Sequence, residues 1–386
     1  MAMDIYEIRV PGKVRFGVGC TKTIGEEATK IGVKRALVVT DPGVYRAGLT
    51  DSIKDNLSKA KLAVDIFSEA EPEPSFSKLN TTANELRRNN YDLVVGVGGG
   101  SSIDTAKGLS ILFTYGGIGQ DYAGVDKVPG PCMPVFACPT TAGTGSEVTN
   151  IAVFDDREQV RKVAIVSPYL FVRLAFVDPT LTYSCPANVT AACGMDALIN
   201  TIEGYTSNKA TTFSDILALE GMRLIAGNLK QAVRDGSDRE ARNRMSEGAF
   251  LSGVAFVNSG CAAVHALAFA LGSQYHVPHG VATAVLLPYV NACNLSSNLS
   301  RYATVAKILG VKTEGLSSQE AAEKGVEAVK ELISDIGIPL HLRELGIPKE
   351  ALERLAIATM DVTRLLDNNP KQLTLEDVRG IWKNAW

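Results

Sequence analysis

The sequence has no excess of positive charge: Lys and Arg total 39 against 42 Asp and Glu, a net charge of −3. That balance builds no basic surface and excludes nucleic acid as an expected partner. A long hydrophobic run is also missing. The most apolar stretch, residues 260–272, is shorter than the roughly 20 residues a membrane span needs and contains His265. Residues 1–10 carry Asp4, Glu7 and Arg9 where a secretory signal needs an apolar core, so no membrane is expected and the expected compartment is the cytoplasm. The cysteines (Cys20, Cys132, Cys138, Cys185, Cys193, Cys261 and Cys293) are odd in number, scattered and never spaced CxxC. That excludes a disulfide scaffold and a cysteine zinc site, and leaves buried, reduced thiols as the expectation. Histidine is scarce, with 4 in 386 residues.

The chain is too long for a single core, which rarely grows past roughly 250–300 residues, so two domains are expected. Hydrophobic residues at 46% and charged ones at 21% are ordinary for a globular enzyme. Over residues 1–181, short β-like runs at 35–40, 63–68, 92–97 and 134–138 alternate with helical patterns, as a parallel sheet wrapped by helices requires. Residues 150–154 and 160–166 alternate around Asp155-Asp156-Arg157 and predict a hairpin. After Asp178-Pro179 the pattern turns helical, at 188–205, 212–229, 239–256, 261–274, 281–292, 319–336 and 375–383. The fold expected is a Rossmann-like α/β domain over 1–181 followed by an all-helical domain over 182–386.

Two loops in the first domain suit a phosphorylated ligand. Gly98-Gly99-Gly100-Ser101-Ser102 leaves a strand and opens a helix. Glycines let backbone N–H groups approach an anion, and the helix N-terminus adds positive potential. A tight structural turn is the plainer reading. The run is not GxGxxG, and it follows the third strand instead of the first. Thr140, Thr141, Thr144 and Ser146 fill a second small-residue loop after the next strand, able to donate to phosphate, ribose or an amide, or simply to cap a turn. Two such loops favour a dinucleotide. Asp41, at the end of the first strand, can accept from a ribose and repel a 2′-phosphate, or serve only as a turn residue before Pro42-Gly43.

In the second domain Asp196, Asn200 and Glu203 fall on one face of an otherwise apolar helix. His265, His276 and His279 cluster in sequence, His265 within a strongly apolar helix and His279 in a turn between Pro278 and Gly280. A core imidazole needs a partner. Oxygen and imidazole together suit Fe(II), Zn(II) or Mn(II), and hydrogen-bonded core histidines are the alternative.

Asp41-Pro42-Gly43, Gly98-Gly99-Gly100-Ser101 with Asp104 and Lys107, the loop from Pro139 to Glu147, Gly194-Met195-Asp196-Ala197-Leu198, Val264-His265-Ala266 and Pro278-His279-Gly280 stand in this order. Together they resemble the iron-containing (group III) alcohol dehydrogenase family over essentially the whole chain. The resemblance implies the dehydroquinate synthase-like architecture, a dinucleotide-binding domain followed by a helical metal- and substrate-binding domain. It implies an NAD-dependent enzyme moving hydride between nicotinamide and a small alcohol or aldehyde, and a homodimer as the common unit. Asp41 then faces the adenosine ribose, and Gly98, Gly99, Gly100 and Ser101 hold the diphosphate. Asp104, Thr140, Thr141, Thr144 and Ser146 line the cofactor motifs, and Lys162 reaches the cofactor from the hairpin. Asp196, His265 and His279 match three of the family's four metal ligands, with Fe(II) the family's metal. The chain departs from the pattern at Asn200, where relatives carry a histidine, and at Phe269, where many carry another. His276 replaces an Asn or Asp and becomes a candidate for proton transfer. A metal-independent reductase of the maleylacetate reductase type and an inactive nucleotide-binding scaffold are the alternative readings.

Overall fold

A computed structural model describes residues 5–386. The chain forms two compact units, one over Pro11–Pro186 and the other joining residues 5–10 to Ala187–Trp386.

The first unit is built on strands β1 (Val14–Phe16), β2 (Arg35–Val39), β3 (Ala63–Phe67), β4 (Leu93–Gly98), β5 (Gly124–Val125), β6 (Val135–Pro139), β7 (Ile151–Asp156), β8 (Arg161–Val166) and β9 (Leu174–Val177). Six of them make a parallel sheet in the order β1-β9-β6-β4-β2-β3. β7 and β8 pair antiparallel with Asp155 opposite Lys162, which is the expected hairpin, and β5 joins its edge. The central strands are buried along their whole length because helices cover both faces, so they read as unbroken apolar runs. Ala36, Val38, Leu93, Val95 and Val97 share one core with Phe136 and Phe176 and with Ile24, Ile53 and Leu57 from the covering helices. Each of these side chains larger than alanine contributes about 1.5–3 kcal/mol on burial. The sequence pattern does not reveal β1 and β9, because at three and four residues they are too short to show a period.

The helices of this unit are α1 (Ile24–Lys30), α2 (Pro42–Arg46), α3 (Asp51–Lys59), α4 (Phe76–Leu86) and α5 (Gly100–Tyr115). The second unit contains α6 (Ala187–Thr206), α7 (Thr212–Arg234), α8 (Arg239–Ser259), α9 (Ala263–Tyr275), α10 (His279–Asn294), α11 (Leu299–Ile308), α12 (Ser318–Asp335), α13 (Leu352–Met360), α14 (Thr363–Leu366) and α15 (Leu375–Ala385). Short polar caps set their starts: Thr211 Oγ1 accepts from the Ser214 amide before α7, and Ser317 with Glu320 forms a capping box before α12. α6 packs against α7, α8 and α10, and α9 against α10, so α6, α9 and α10 meet in the interior. Among the described residues no single helix is long and apolar enough to cross a membrane. α8 and α9 reach that length and apolarity only together, and they are bent by 102° at the break between them.

Candidate functional site

The first candidate region lies at the ends of β4 and β6, the middle of the parallel sheet. β4 runs straight into Gly98 and Gly99, and α5 starts at Gly100. Gly99 occupies the N-cap position with no side-chain cap, so the first amides of α5 have no side-chain acceptor on that residue. Gly98 has φ 154°, and a Cβ there would lie 2.4 Å from Ser102 Oγ. A Cβ on Gly100 would lie 2.8 Å from Thr144 Oγ1, and one on Gly99 would meet Thr141 at 3.6 Å. The glycine turn and the threonine loop are therefore packed against each other, and side chains are excluded where backbone must come close. The Thr140 amide donates to the Gly98 carbonyl at 2.9 Å and joins the two loops directly.

Asp41 stands beside this turn. Its Oδ1 accepts from the amides of Gly43 and Val44 and caps α2, while Oδ2 lies 3.4 Å from Ser102 Oγ. Asp41 is thus a turn residue through one oxygen, while the other lies against Ser102 beside the glycine turn. Ser101 Oγ donates to the Pro72 carbonyl, which commits that hydroxyl to the fold and leaves its backbone amide on the first turn of α5.

Asp104 and Ser146 hold each other. Ser146 Oγ donates to Asp104 Oδ1 at 2.6 Å, and the Val153 amide donates to Oδ2 at 2.9 Å. Lys107 is fully buried, and its Nζ donates to the carbonyls of Ser146, Thr149 and Ile151 at 2.7, 2.9 and 2.8 Å. Burial pulls the Lys107 pKa down to about 8 and pushes that of Glu147 up to about 7. These groups brace the threonine loop from behind. Lys162, with its side chain 5% exposed, forms an ion pair with Glu73.

The second candidate region lies where α6, α9 and α10 meet. Asp196 comes from α6, His265 from α9 and His279 from α10, and one ligand atom of each falls within 4.8 Å of the others. His279 is the first residue of α10 and not the turn residue the sequence suggested, because Pro278 supplies the fixed φ that starts the helix. Asp196 Oδ1 lies 3.5 Å from His279 Nε2 and 3.7 Å from His265 Nε2. Ligands about 2.1 Å from a tetrahedral ion stand about 3.4 Å apart, so these separations suit atoms arranged around a cation. A carboxylate and two imidazoles also form a donor set for a divalent metal.

Glu203, on the same helix as Asp196, accepts from His265 Nδ1 at 2.6 Å, and its Oε1 and Oε2 accept from the amides of Val264 and Ala262. Burial disfavours a charged His265, but Cys261 and Glu203 outweigh it and hold the pKa well above the usual value. The surroundings of His265 therefore favour positive charge. The amide oxygen of Asn200 accepts from the Cys261 thiol at 3.2 Å, and the Phe269 ring lies 6.0 Å from that of His279. His276 is not part of this cluster. It ends α9 in the left-handed conformation, with φ 53°, and is exposed. The sequence put Glu203 on the right face but assigned it no role, and gave no sign of Cys261. The i, i+7 spacing from Asp196 was the available signal for Glu203.

Residues 11–179 match the model of the family described as iron-containing alcohol dehydrogenase, and residues 190–386 match that of the Fe-containing alcohol dehydrogenase family, C-terminal. The chain is 38% identical over 377 residues to an NAD-dependent methanol dehydrogenase of Bacillus methanolicus, covering 97% of this chain and 98% of that one. It is 39% identical over 387 residues to long-chain-alcohol dehydrogenase 1 of Geobacillus thermodenitrificans strain NG80-2, covering 100% and 98%. A crystal structure of 1,3-propanediol oxidoreductase superposes with a TM-score of 0.96 at 38% identity, over 99% of this chain and 100% of the other. The chain belongs to the iron-containing alcohol dehydrogenase family and is, with it, an oxidoreductase of the alcohol dehydrogenase and aldehyde reductase type.

Proposed function

We propose that the chain moves hydride between NAD(H) and the oxygen-bearing carbon of a small alcohol or aldehyde, with a divalent metal held by Asp196, His265 and His279. The observation that carries this reading is the spacing of those ligand atoms, 3.5 and 3.7 Å about Asp196 Oδ1. A divalent cation there, Fe(II) by family with Zn(II) and Mn(II) compatible, supplies Lewis-acid polarisation of a substrate oxygen. Reduced nicotinamide supplies the hydride, so no protein group has to carry electrons.

The chain's own residues have other tasks. Asp196 and Glu203 bring two negative charges to the cluster, which balance a dication, and the imidazoles serve as neutral donors. Asn200 can add its amide oxygen as a fourth donor, since a carbonyl retains a second lone pair beside the Cys261 contact. That donor is weaker than imidazole and suits a harder, looser cation. Phe269 lays an apolar face beside His279, fit for the carbon part of a substrate. His276, exposed at the end of α9, is assigned the exchange of a proton with solvent.

On the cofactor side, Gly98, Gly99, Gly100 and Ser101 offer backbone to a diphosphate. Asp104, Thr140, Thr141, Thr144 and Ser146 shape the adjoining loop, and Lys162 orders the hairpin beside it. Asp41 favours an unphosphorylated ribose and hence NAD. The near-neutral charge and the odd number of scattered cysteines support a cytoplasmic protein, and family habit supports a homodimer acting on small molecules.

The named relatives act on methanol and on long-chain alcohols at almost the same identity, so identity at this level does not select chain length. The test is an aldehyde panel of increasing length with NADH, before and after metal is stripped with a chelator. Loss of turnover on stripping, with recovery on adding Fe(II), Zn(II) or Mn(II), is the expected result. Undiminished turnover without metal removes the metal from the proposal and leaves a metal-independent reductase. Nucleotide binding with no turnover of any aldehyde leaves a scaffold.

A further inference from the structure

We infer that Glu203 is a positioning residue: reaching across from α6, it caps α9 and orients His265 for metal binding. The inference rests on the reading of Asp196, His265 and His279 as a metal centre.

The start of α9 has no cap of its own. Its N-cap residue is Ala262, whose methyl group accepts nothing, and the first amides of a helix have no partner within the helix. Glu203 fills that gap from another helix. Its Oε2 accepts from the Ala262 amide at 2.9 Å and its Oε1 from the Val264 amide at 2.6 Å. A carboxylate at a helix N-terminus is also favoured by the helix dipole.

The same Oε2 lies 2.6 Å from His265 Nδ1. An ionised carboxylate can only accept, so Nδ1 must carry the hydrogen. In the neutral ring that a metal binds, Nε2 then has the lone pair, and Nε2 is the nitrogen 3.7 Å from Asp196 Oδ1. One rigid group therefore fixes the helix start, the ring orientation and the tautomer together. Glu203 is 3% exposed and Asp196 likewise, seven residues apart on α6, so one helix carries both a ligand and the residue that aims another. Such outer partners typically alter metal affinity about 10–100-fold.

Glutamine in place of Glu203 retains the shape but presents an NH2 group where the carboxylate accepted. That group opposes either an amide N–H or the Nδ1 hydrogen. If His265 answers by moving its hydrogen to Nε2, the lone pair is lost from the metal side.

The experiment uses the full-length protein, stripped of metal, as wild type and as Glu203→Gln. Co(II) is titrated against a competing chelator while its visible absorption is followed, and NAD+ affinity is measured in parallel. Glu203→Gln is expected to bind Co(II) about 10–100-fold more weakly with NAD+ affinity unchanged. A second variant adds Ala262→Ser to Glu203→Gln, restoring a local cap to α9 but no partner for Nδ1. Its thermal midpoint should recover toward wild type while Co(II) binding stays weak. Equal Co(II) affinity in wild type and Glu203→Gln overturns the inference, as does recovery of Co(II) affinity in the double variant. A wild type that takes up no Co(II) is a different result, since it overturns the metal-centre reading itself and this inference with it.

Discussion

The Cys261 thiol donates to the Asn200 amide oxygen across 3.2 Å, one helical turn along α6 from Asp196. The position at which the family pattern has a histidine thus holds a neutral amide that already serves a neighbouring thiol. An amide oxygen is a poorer donor than imidazole for Fe(II) or Zn(II). Asn200→His is expected to slow metal loss into excess chelator at least about ten-fold, since a direct ligand should matter no less than the outer partners whose loss costs about 10–100-fold. Adding Cys261→Ala makes room for the ring and should retain the gain. Equal rates of loss from wild type and both variants would show that position 200 contributes nothing to holding the metal.

Asp41 divides its carboxylate between capping α2 and facing the glycine turn. Asn caps a helix about as well as Asp, so Asp41→Asn removes charge while sparing the cap. On the proposed reading of Asp41 as the ribose partner, that charge repels a 2′-phosphate. The ratio of kcat/KM for NADPH over NADH should rise about ten-fold, roughly 1.4 kcal/mol, with the thermal midpoint little changed. A ratio that stays put places the selectivity elsewhere.

Gly100 is required by a close approach. A methyl group there meets Thr144 Oγ1 at 2.8 Å and Cγ2 at 2.9 Å, closer than real contacts allow. Gly100→Ala should push the threonine loop away and weaken NADH binding at least about ten-fold, in the range of the 1–3 kcal/mol typical of overpacking. Thr144→Ala in the same chain removes the colliding atoms and should recover part of the loss. Fluorescence titration of NADH with the single and double variants measures both effects, and additive losses would show that the two positions are independent.

The sequence made these features legible to different degrees. The central strands announce themselves because burial on both faces demands unbroken runs such as Leu93 to Val97, and long helices such as α6 through repeated apolar spacing. β1 and β9 do not, since a three- or four-residue strand looks like any short apolar patch. In the site, Asp196, His265 and His279 stood out because polar residues in apolar helices need a reason. Glu203 and Cys261 act through contacts with residues about 60 positions away, and a linear pattern does not encode those partners. Lys107 is similar. It stands within a recognisable motif, but its three carbonyl acceptors become visible only when the loop folds over it.

Glu147 makes stability depend on pH in a direction opposite to that of an ordinary paired carboxylate. Burial raises its pKa from 4.5 to about 7, while the nearby Lys107 ammonium pulls the other way. Between those values the folded protein retains a proton that the unfolded chain has released. Its contribution to stability is therefore full below about 4.5 and is lost as the pH rises to about 7. Lys107 adds the complementary effect. Its pKa falls from 10.5 to about 8, so the unfolded chain binds the extra proton between those values and stability rises with pH there. Asp104, also raised by burial, acts in the same sense as Glu147. Together these groups set a minimum near pH 7–8. In Glu147→Gln nothing titrates at that position, so its thermal midpoint should fall less between pH 5 and 7 than that of the wild type. Every other titrating group is common to both proteins, and the difference between the two curves isolates Glu147. Parallel curves over that window would mean that Glu147 is ionised in the folded protein throughout.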